Sequence, residues 1–444
     1  MHQSRTTLVK LCFFAQYLQL GSSSPTQLDP SISLNEAPST HQFSLFGNPS
    51  PDIFNSPVRQ KFQRIKNNGG KGRGSETVNT IFSGVYPVLN LTWLGRKSQE
   101  FASFIDTGSS DTWAVSNNFQ CLDINTKVPL PQSACAFGEL YDPALGSFTN
   151  ITSQEFSIGY FPENETLQGS MGYAPLSIGG LTVPKQEVAL VTESAWAGDG
   201  TSSSLIGFAY PSITSATYRS NGSDVIYDPI FTTMVKEGIV DDAVFTLAID
   251  RVPRDTSPSA PAGMMALGGL VSSDYYYPPF TSVPIEVTAA SGLTELSWYT
   301  TTHELIYGLK NGTIVSGGTY QSIVDCGTAP NFVPSAAAAD INDQFSPPAV
   351  YNETLGYWTV DCSAKAPFAA YKIGGKIMPM DPKDMIVRSL NGLPGYEDVC
   401  FSAFADGGDP SVDVMIIGEV WQRGYVVAYD VGRTMLHFAS RRPY

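Results

Sequence analysis

Phe104-Ile105-Asp106-Thr107-Gly108-Ser109-Ser110 recurs 219 residues later as Ile323-Val324-Asp325-Cys326-Gly327-Thr328. Each copy is an apolar pair, an Asp, a short residue, a Gly, and a hydroxyl residue three positions after the Asp. A single Asp-x-Gly is usually an ordinary turn, since both residues favour turns. Two copies in 444 residues point to a duplicated lobe that brings two carboxylates face to face. The first copy continues as Asp111-Thr112-Trp113, a string too long to be a turn by chance.

The repeat extends beyond the motifs. About 100 residues after each Asp comes an aliphatic pair and a Gly: Leu205-Ile206-Gly207, then Ile416-Ile417-Gly418. Apolar strands without alternation are buried on both faces. Such a strand beside each Asp loop would hold that loop rigidly where the lobes meet.

The rest of the chain suits a β-rich fold. It is 42% hydrophobic with 40 Gly and 31 Pro, and short apolar runs alternate with turns. Runs at Tyr86–Leu94, Glu100–Ile105, Glu187–Val191, Val244–Ile249, Met264–Leu267, Tyr320–Val324 and Tyr425–Tyr429 read as strands. Helices are expected over Pro229–Glu237, which starts at a Pro and stops before Gly238, and over Pro334–Phe345. The fold class is mainly β: two pseudo-twofold-related lobes with a few short helices.

Charge is unevenly placed. The net is −15, yet residues 1–73 hold eight Lys and Arg against three acids, leaving −20 beyond them. An acidic body argues against nucleic acid as a partner. Residues 1–24 read as a signal peptide, with Arg5 and Lys10 before a moderately apolar Leu11–Leu20 interrupted by Gln16 and Gln19. Residues 25–75, rich in Pro, Ser, Asn and Gly, read as a pro-segment and linker. The two lobes are then expected at 76–250, with Asp106, and 251–444, with Asp325. No run of 18 apolar residues suggests a membrane span.

Of six Cys, Cys121/Cys135 and Cys362/Cys400 form one local pair per half, which fits disulfides in an oxidising compartment; four unrelated buried thiols are the alternative. Sequons at Asn90, Asn150, Asn164, Asn221, Asn311 and Asn352 agree with that compartment. The expected location is extracellular, or elsewhere along the secretory pathway such as a vacuole.

At the motifs, Gly108 and Gly327 permit close backbone approach, and Ser109 and Thr328 can each donate to their own Asp. Facing carboxylates cannot both ionise, so they share a proton, one serving as base and the other as acid. That suits hydrolysis through a bound water. Other chemistries find no support. The four His make no His-Glu-x-x-His metal motif, and there is no Gly-x-Ser-x-Gly elbow or P-loop. No cofactor or metal is expected.

From Val85 to Ala439 the chain resembles the pepsin-like (A1) aspartic endopeptidases, secreted fungal members above all. The likeness rests on both Asp motifs, Trp113, Leu205-Ile206-Gly207-Phe208-Ala209-Tyr210-Pro211, Asp228-Pro229-Ile230-Phe231, Ala266-Leu267-Gly268-Gly269, and Ile416-Ile417-Gly418 with Tyr425–Asp430. The resemblance implies a bilobal β fold with a deep cleft, a zymogen, acid activity, and peptide or protein substrates cut by a monomer. It also implies a β-hairpin flap whose Tyr160 covers the dyad and bonds Trp113. Lys61, Arg64 or Lys66 in the basic arm would pair with the dyad in the zymogen.

Two departures from the family stand at the site. Cys326 replaces a Thr or Ser whose hydroxyl reaches across the lobe interface. A thiol is a weaker donor, and one neutral hydrogen bond lost costs about 0.5–1.5 kcal/mol. The flap tip reads Tyr160-Phe161-Pro162-Glu163-Asn164 where Gly-rich residues are usual, and Ala329-Pro330-Asn331 follows Thr328. Phe161 adds bulk over the cleft. These departures motivate a second reading: a pepsin-like scaffold with lost or altered proteolysis, binding a partner or acting on a small molecule.

Overall fold

Strand Gln99–Asp106 ends on the first Asp and is flanked on one side by Ser202–Gly207, which runs parallel to it. In this computed structural model the described residues are 41–46, 80–81, 86–160, 165–251, 261–353, 355–388 and 399–443. All belong to one unit spanning Glu36–Tyr444. The signal-peptide and basic-arm expectations, Lys61, Arg64 and Lys66 included, lie outside them, as do Phe161, Pro162 and Asn164 at the flap tip.

Four sheets carry the fold among the described residues. A twelve-stranded sheet takes its strands from Thr80 to Val225, and seven- and four-stranded sheets take theirs from Thr300 to Ile417. A six-stranded sheet draws on both ends of the chain, with Val244–Ile249, Pro261–Leu267, Tyr276–Pro284, Tyr425–Asp430 and Met435–Arg441. Its edge strand is His41–Phe46, from the stretch read as pro-segment and linker; it pairs antiparallel with Pro261–Leu267, His41 opposite Leu267.

Strands expected from apolar runs are found where they were expected. Ser202–Gly207, Val244–Ile249 and Tyr425–Asp430 are buried at every residue, the outcome expected of strands covered on both faces. The helices are Ile230–Lys236 and Ser335–Asp343, slightly shorter than read, and a short third helix, Glu419–Gln422, follows Gly418. Disulfides join Cys121 to Cys135 and Cys362 to Cys400. Each closes a local loop and so removes freedom from the unfolded chain more than it shapes the core. No helix among the described residues is long and apolar enough to cross a membrane.

Both Asp loops sit at the end of a strand pinned by its aliphatic-Gly partner. Leu205, Ile206 and Gly207 stand opposite Phe104, Ile105 and Asp106. In the second half Ile323 and Val324 stand opposite Ile416 and Ile417. Backbone bonds continue the pinning: Phe208 N–H donates to the Asp106 carbonyl at 2.8 Å, and Asp325 N–H to the Ile417 carbonyl at 3.1 Å. The two loops are thus held alike by parallel pairing with a buried strand.

Candidate active site

Each carboxylate is cradled by its own loop in the same way. Gly108 N–H donates to Asp106 Oδ1 at 2.7 Å, and Gly327 N–H to Asp325 Oδ1 at 2.8 Å. The Ser109 hydroxyl donates to Asp106 Oδ2, and the Thr328 hydroxyl to Asp325 Oδ2 at 2.6 Å. These are the contacts expected of a Gly two residues and a hydroxyl three residues past each Asp.

The loops are also interlocked. A Cβ on Gly108 would stand 2.5 Å from Asp325 Oδ2, and one on Gly327 2.3 Å from Asp106 Oδ1. Each Gly therefore makes room for the opposite carboxylate. The Thr107 hydroxyl donates to the Val324 carbonyl at 3.1 Å and accepts from the Cys326 N–H at 2.9 Å.

Asp106 and Asp325 are 7% and 4% exposed and act on each other's ionisation. Burial raises both carboxyls above the ordinary range, and for Asp106 the charge of Asp325 adds to it. Ser109, Thr328 and the Gly N–H groups pull the other way. Burial and repulsion prevail over these donors, so the pair retains a proton between its two carboxyls. The arrangement can take a proton from a water at one oxygen while giving one at another.

Cys326 departs from the sequence expectation of a lost bond. Its thiol donates to the Ile105 carbonyl at 3.3 Å, a sulfur-length hydrogen bond across the two motifs. Burial raises the thiol well above its usual range, and it is 0% exposed. It stays a protonated donor and is no nucleophile.

Tyr160, at the end of strand Gln154–Tyr160, accepts a hydrogen bond from Trp113 Nε1 at 2.8 Å. Trp196 packs edge-on against both rings, 5.5 Å from Tyr160 and 5.6 Å from Trp113. The Tyr160 hydroxyl is raised by burial and then by the charge of Asp106.

Two contributors, Trp298 and Trp196, escaped the sequence reading, and Asn331 was noted there only as a departure after Thr328. Trp298 Nε1 donates to the Gly108 carbonyl at 2.7 Å, from 190 residues away. Asn331, fully buried, accepts from Gly418 N–H at 3.1 Å and donates to the Ala403 carbonyl at 3.1 Å. Trp196 completes the aromatic support of Tyr160. Neither Trp lies in a motif, so no local pattern marked it, whereas Asn331 lies three residues past Thr328.

Comparison with known proteins agrees with this geometry. The model of the eukaryotic aspartyl protease family matches residues 91–441. A probable aspartic-type endopeptidase of Aspergillus fumigatus is 31% identical over 432 residues, 94% of this chain and 95% of that protein. Pepsin A of Sus scrofa is 26% identical over 343 residues, covering 76% and 77% of the two chains. The crystal structure of an aspartic proteinase from Irpex lacteus superposes with a TM-score of 0.64 at 19% identity, over 82% of this chain and 96% of that one. Two interlocked Asp loops, each pinned by an aliphatic-Gly strand, are thus accompanied by similarity along most of the sequence, and the chain belongs to the eukaryotic aspartyl protease family as an aspartic-type endopeptidase.

Proposed function

We propose that this endopeptidase is secreted and hydrolyses peptide bonds in acid, using a water activated between Asp106 and Asp325. The observation that carries the reading is the interlock of the two loops, which leaves two buried carboxyls sharing a proton. One carboxylate takes a proton from the water as its oxygen attacks the peptide carbonyl carbon. The other carboxyl gives its proton to the carbonyl oxygen. In the collapse of the resulting diol, a proton passes to the leaving nitrogen and the C–N bond breaks. Acid suits this cycle because it requires one proton on the pair.

The lobes divide at about residue 250, and Thr107, Gly108, Ser109, Cys326, Gly327 and Thr328 hold the pair in register. Tyr160 and Trp113 border the substrate from above. The working unit is a monomer acting on peptides or proteins. Secretion and glycosylation rest on the first 24 residues, the two disulfides and the sequons. The reading of a scaffold without proteolysis draws on Cys326 and the altered flap tip; the Cys326 thiol retains a cross-motif bond, which favours hydrolysis, and the flap tip lies outside the described residues.

The test is direct. Purified protein activated in acid is expected to cleave a denatured protein, to be blocked by a statine-type inhibitor, and to lose cleavage in Asp106→Asn. A folded protein that cleaves nothing at any acidic pH overturns the reading.

A further inference from the structure

Tyr299 stands just before strand Thr300–Gly308, which pairs antiparallel with the strand leading into Asp325, Thr300 opposite Ile323. It is 1% exposed. Its ring packs among Tyr210, Phe245 and Tyr429, with centroids 5.2, 5.6 and 4.8 Å away. Both of its polar ends are engaged. The backbone carbonyl accepts from Val324 N–H at 2.9 Å, and the hydroxyl donates to the Phe208 carbonyl.

Those two bonds close a circuit through both motifs. Phe208 N–H donates to the Asp106 carbonyl at 2.8 Å. The next residue, Thr107, donates its hydroxyl to the Val324 carbonyl at 3.1 Å. Val324 N–H then returns to Tyr299, and Asp325 follows Val324 directly in the chain.

We propose that Tyr299 is a positioning residue for hydrolysis, whose hydroxyl closes the hydrogen-bonded circuit that fixes Asp106 and Asp325 at their working separation. This rests on the acid-hydrolysis reading above.

The peptide that Tyr299 grips is well placed to move the first carboxylate. Phe208 N–H holds the Asp106 carbonyl, and the next N–H, of Ala209, holds the Ser109 carbonyl at 2.9 Å. A tilt of this segment therefore pulls the Asp106 loop on both sides of Gly108. Among the described residues the Phe208 carbonyl receives no other donor. Phe208 is buried, so loss of the Tyr299 hydroxyl leaves that carbonyl orphaned, and the peptide gains by turning to find a donor. Burial raises the hydroxyl well above its usual range, with Tyr210, Tyr429 and Cys326 adding to it. It therefore stays a donor across acid and neutral pH. Tyr210 supplies the contrast. Its hydroxyl lies in the same aromatic cluster, is buried, and has no hydrogen-bond partner among the described residues. Removing it takes away a buried hydroxyl without opening the circuit.

The experiment measures kcat and KM on a peptide substrate across pH for the wild type, Tyr299→Phe and Tyr210→Phe, with the affinity of a statine-type inhibitor and a circular dichroism check of folding. Tyr299→Phe keeps the ring and opens the circuit. Its kcat is expected to fall about three- to thirtyfold while KM stays within about twofold. A looser pair of carboxyls is coupled less strongly, so the bell-shaped pH profile of kcat is expected to narrow by about 0.3 pH unit or more. Tyr210→Phe is expected to keep both kcat and the profile. A Tyr299→Phe protein that is less stable but unchanged in kcat and profile makes Tyr299 a packing residue and overturns the inference. Equal losses in both variants assign the effect to the aromatic cluster and overturn it too. If Tyr299→Phe does not fold, Thr107→Val opens the same circuit at its other side-chain link; a narrowed profile there supports the inference and an unchanged one overturns it. If the folded wild type neither cleaves nor binds the inhibitor at any pH, the hydrolysis reading falls and this inference with it. If the wild type cleaves and Tyr299→Phe matches it, this inference alone falls.

Discussion

Thr107 and Cys326 bind each other's strands: the Cys326 N–H donates to the Thr107 hydroxyl at 2.9 Å, while the Cys326 thiol donates to the Ile105 carbonyl at 3.3 Å. The second bond is made by sulfur, which donates weakly, yet it spans the same gap between motifs. Cys326→Thr is therefore expected to raise kcat/KM by less than about tenfold, since one neutral hydrogen bond improves by no more than about 1.5 kcal/mol. Cys326→Ala, which deletes the donor, is expected to lower denaturant stability by about 1 kcal/mol. Steady-state kinetics and urea melts check both. A gain far above tenfold in Cys326→Thr would mean that the thiol displaces the dyad after all.

The glycines of the two motifs fail alike, each against the opposite carboxylate. A Cβ on Gly327 would meet Asp106 Oδ1 at 2.3 Å, and its only relief is to move the carboxylate. Gly327→Ala is expected to fold and to lose about a thousandfold or more in kcat, because small displacements of reacting groups cost rate steeply. The measurement is kcat beside a near-ultraviolet dichroism spectrum. Retained activity would show that the dyad tolerates displacement.

Much of this site was legible because its contacts are local. An Asp, a Gly two residues on and a hydroxyl three residues on make their bonds within one turn, so the pattern states them. The pinning strands were legible too, since unbroken apolar runs are buried on both faces. What the pattern could not carry were contacts between distant segments. Trp298 meets Gly108 across 190 residues, and Tyr227 meets Asp111 across 116. Neither residue sits in a repeat. Cys326 was judged by the chemistry of its side chain, whereas the distance to Ile105 decides whether a weak donor is enough. His41–Phe46 alternates weakly amid residues of coil-like composition, and only pairing with Pro261–Leu267 makes it a strand.

Four buried carboxyls are expected to lose their stabilising share as pH rises from acid to neutral, while buried His303, lowered to about 3, gains over the acid part of that range. Asp106, Asp111, Asp325 and Glu419 are all raised, each chiefly by burial, and Glu419 reaches about 7 despite its two bonds to Arg423 at 2.8 Å. A carboxyl raised in the folded state holds its proton better there than in the unfolded chain. Its stabilising share is full below the unfolded value and is lost as pH climbs through the folded one. For Glu419 that window runs from the ordinary carboxyl value of 4.5 to about 7. Asp430, lowered in the fold, acts in the opposite sense and only toward stronger acid. Because His303 gains over part of the same range, the share of Glu419 is read as the difference between denaturant melts of the wild type and Glu419→Gln from about pH 4 to 8. The wild type's advantage is expected to shrink as pH climbs through the Glu419 window. A difference that does not change with pH would refute the assignment.

Trp113 Nε1 donates to the Tyr160 hydroxyl at 2.8 Å. Tyr160→Phe keeps the ring against Trp196 and removes the acceptor, leaving the Trp113 N–H unpaired. The expected loss is about tenfold or more in kcat, with about 1–3 kcal/mol of stability at stake for the buried N–H. Trp113→Phe should cost less stability, since it removes the donor rather than orphaning it. Kinetics and melts of both variants test that order; the reverse order would mean that the indole serves mainly as packing.

Trp298 anchors the first motif from the far half of the chain. Its indole N–H takes the Gly108 carbonyl at 2.7 Å, while the Gly108 N–H serves Asp106 at 2.7 Å. One indole thus helps fix the peptide that aims a donor at the carboxylate. The neighbouring contacts agree: Tyr210 N–H reaches the Ser297 carbonyl at 3.1 Å, and the Ser212 hydroxyl reaches the Leu296 carbonyl at 2.8 Å. Trp298→Phe keeps the ring and deletes the N–H. It is expected to lower kcat about three- to thirtyfold, by loosening a positioned donor, with a smaller change in KM. If KM alone rises, the indole acts on substrate binding and not on the geometry of Asp106.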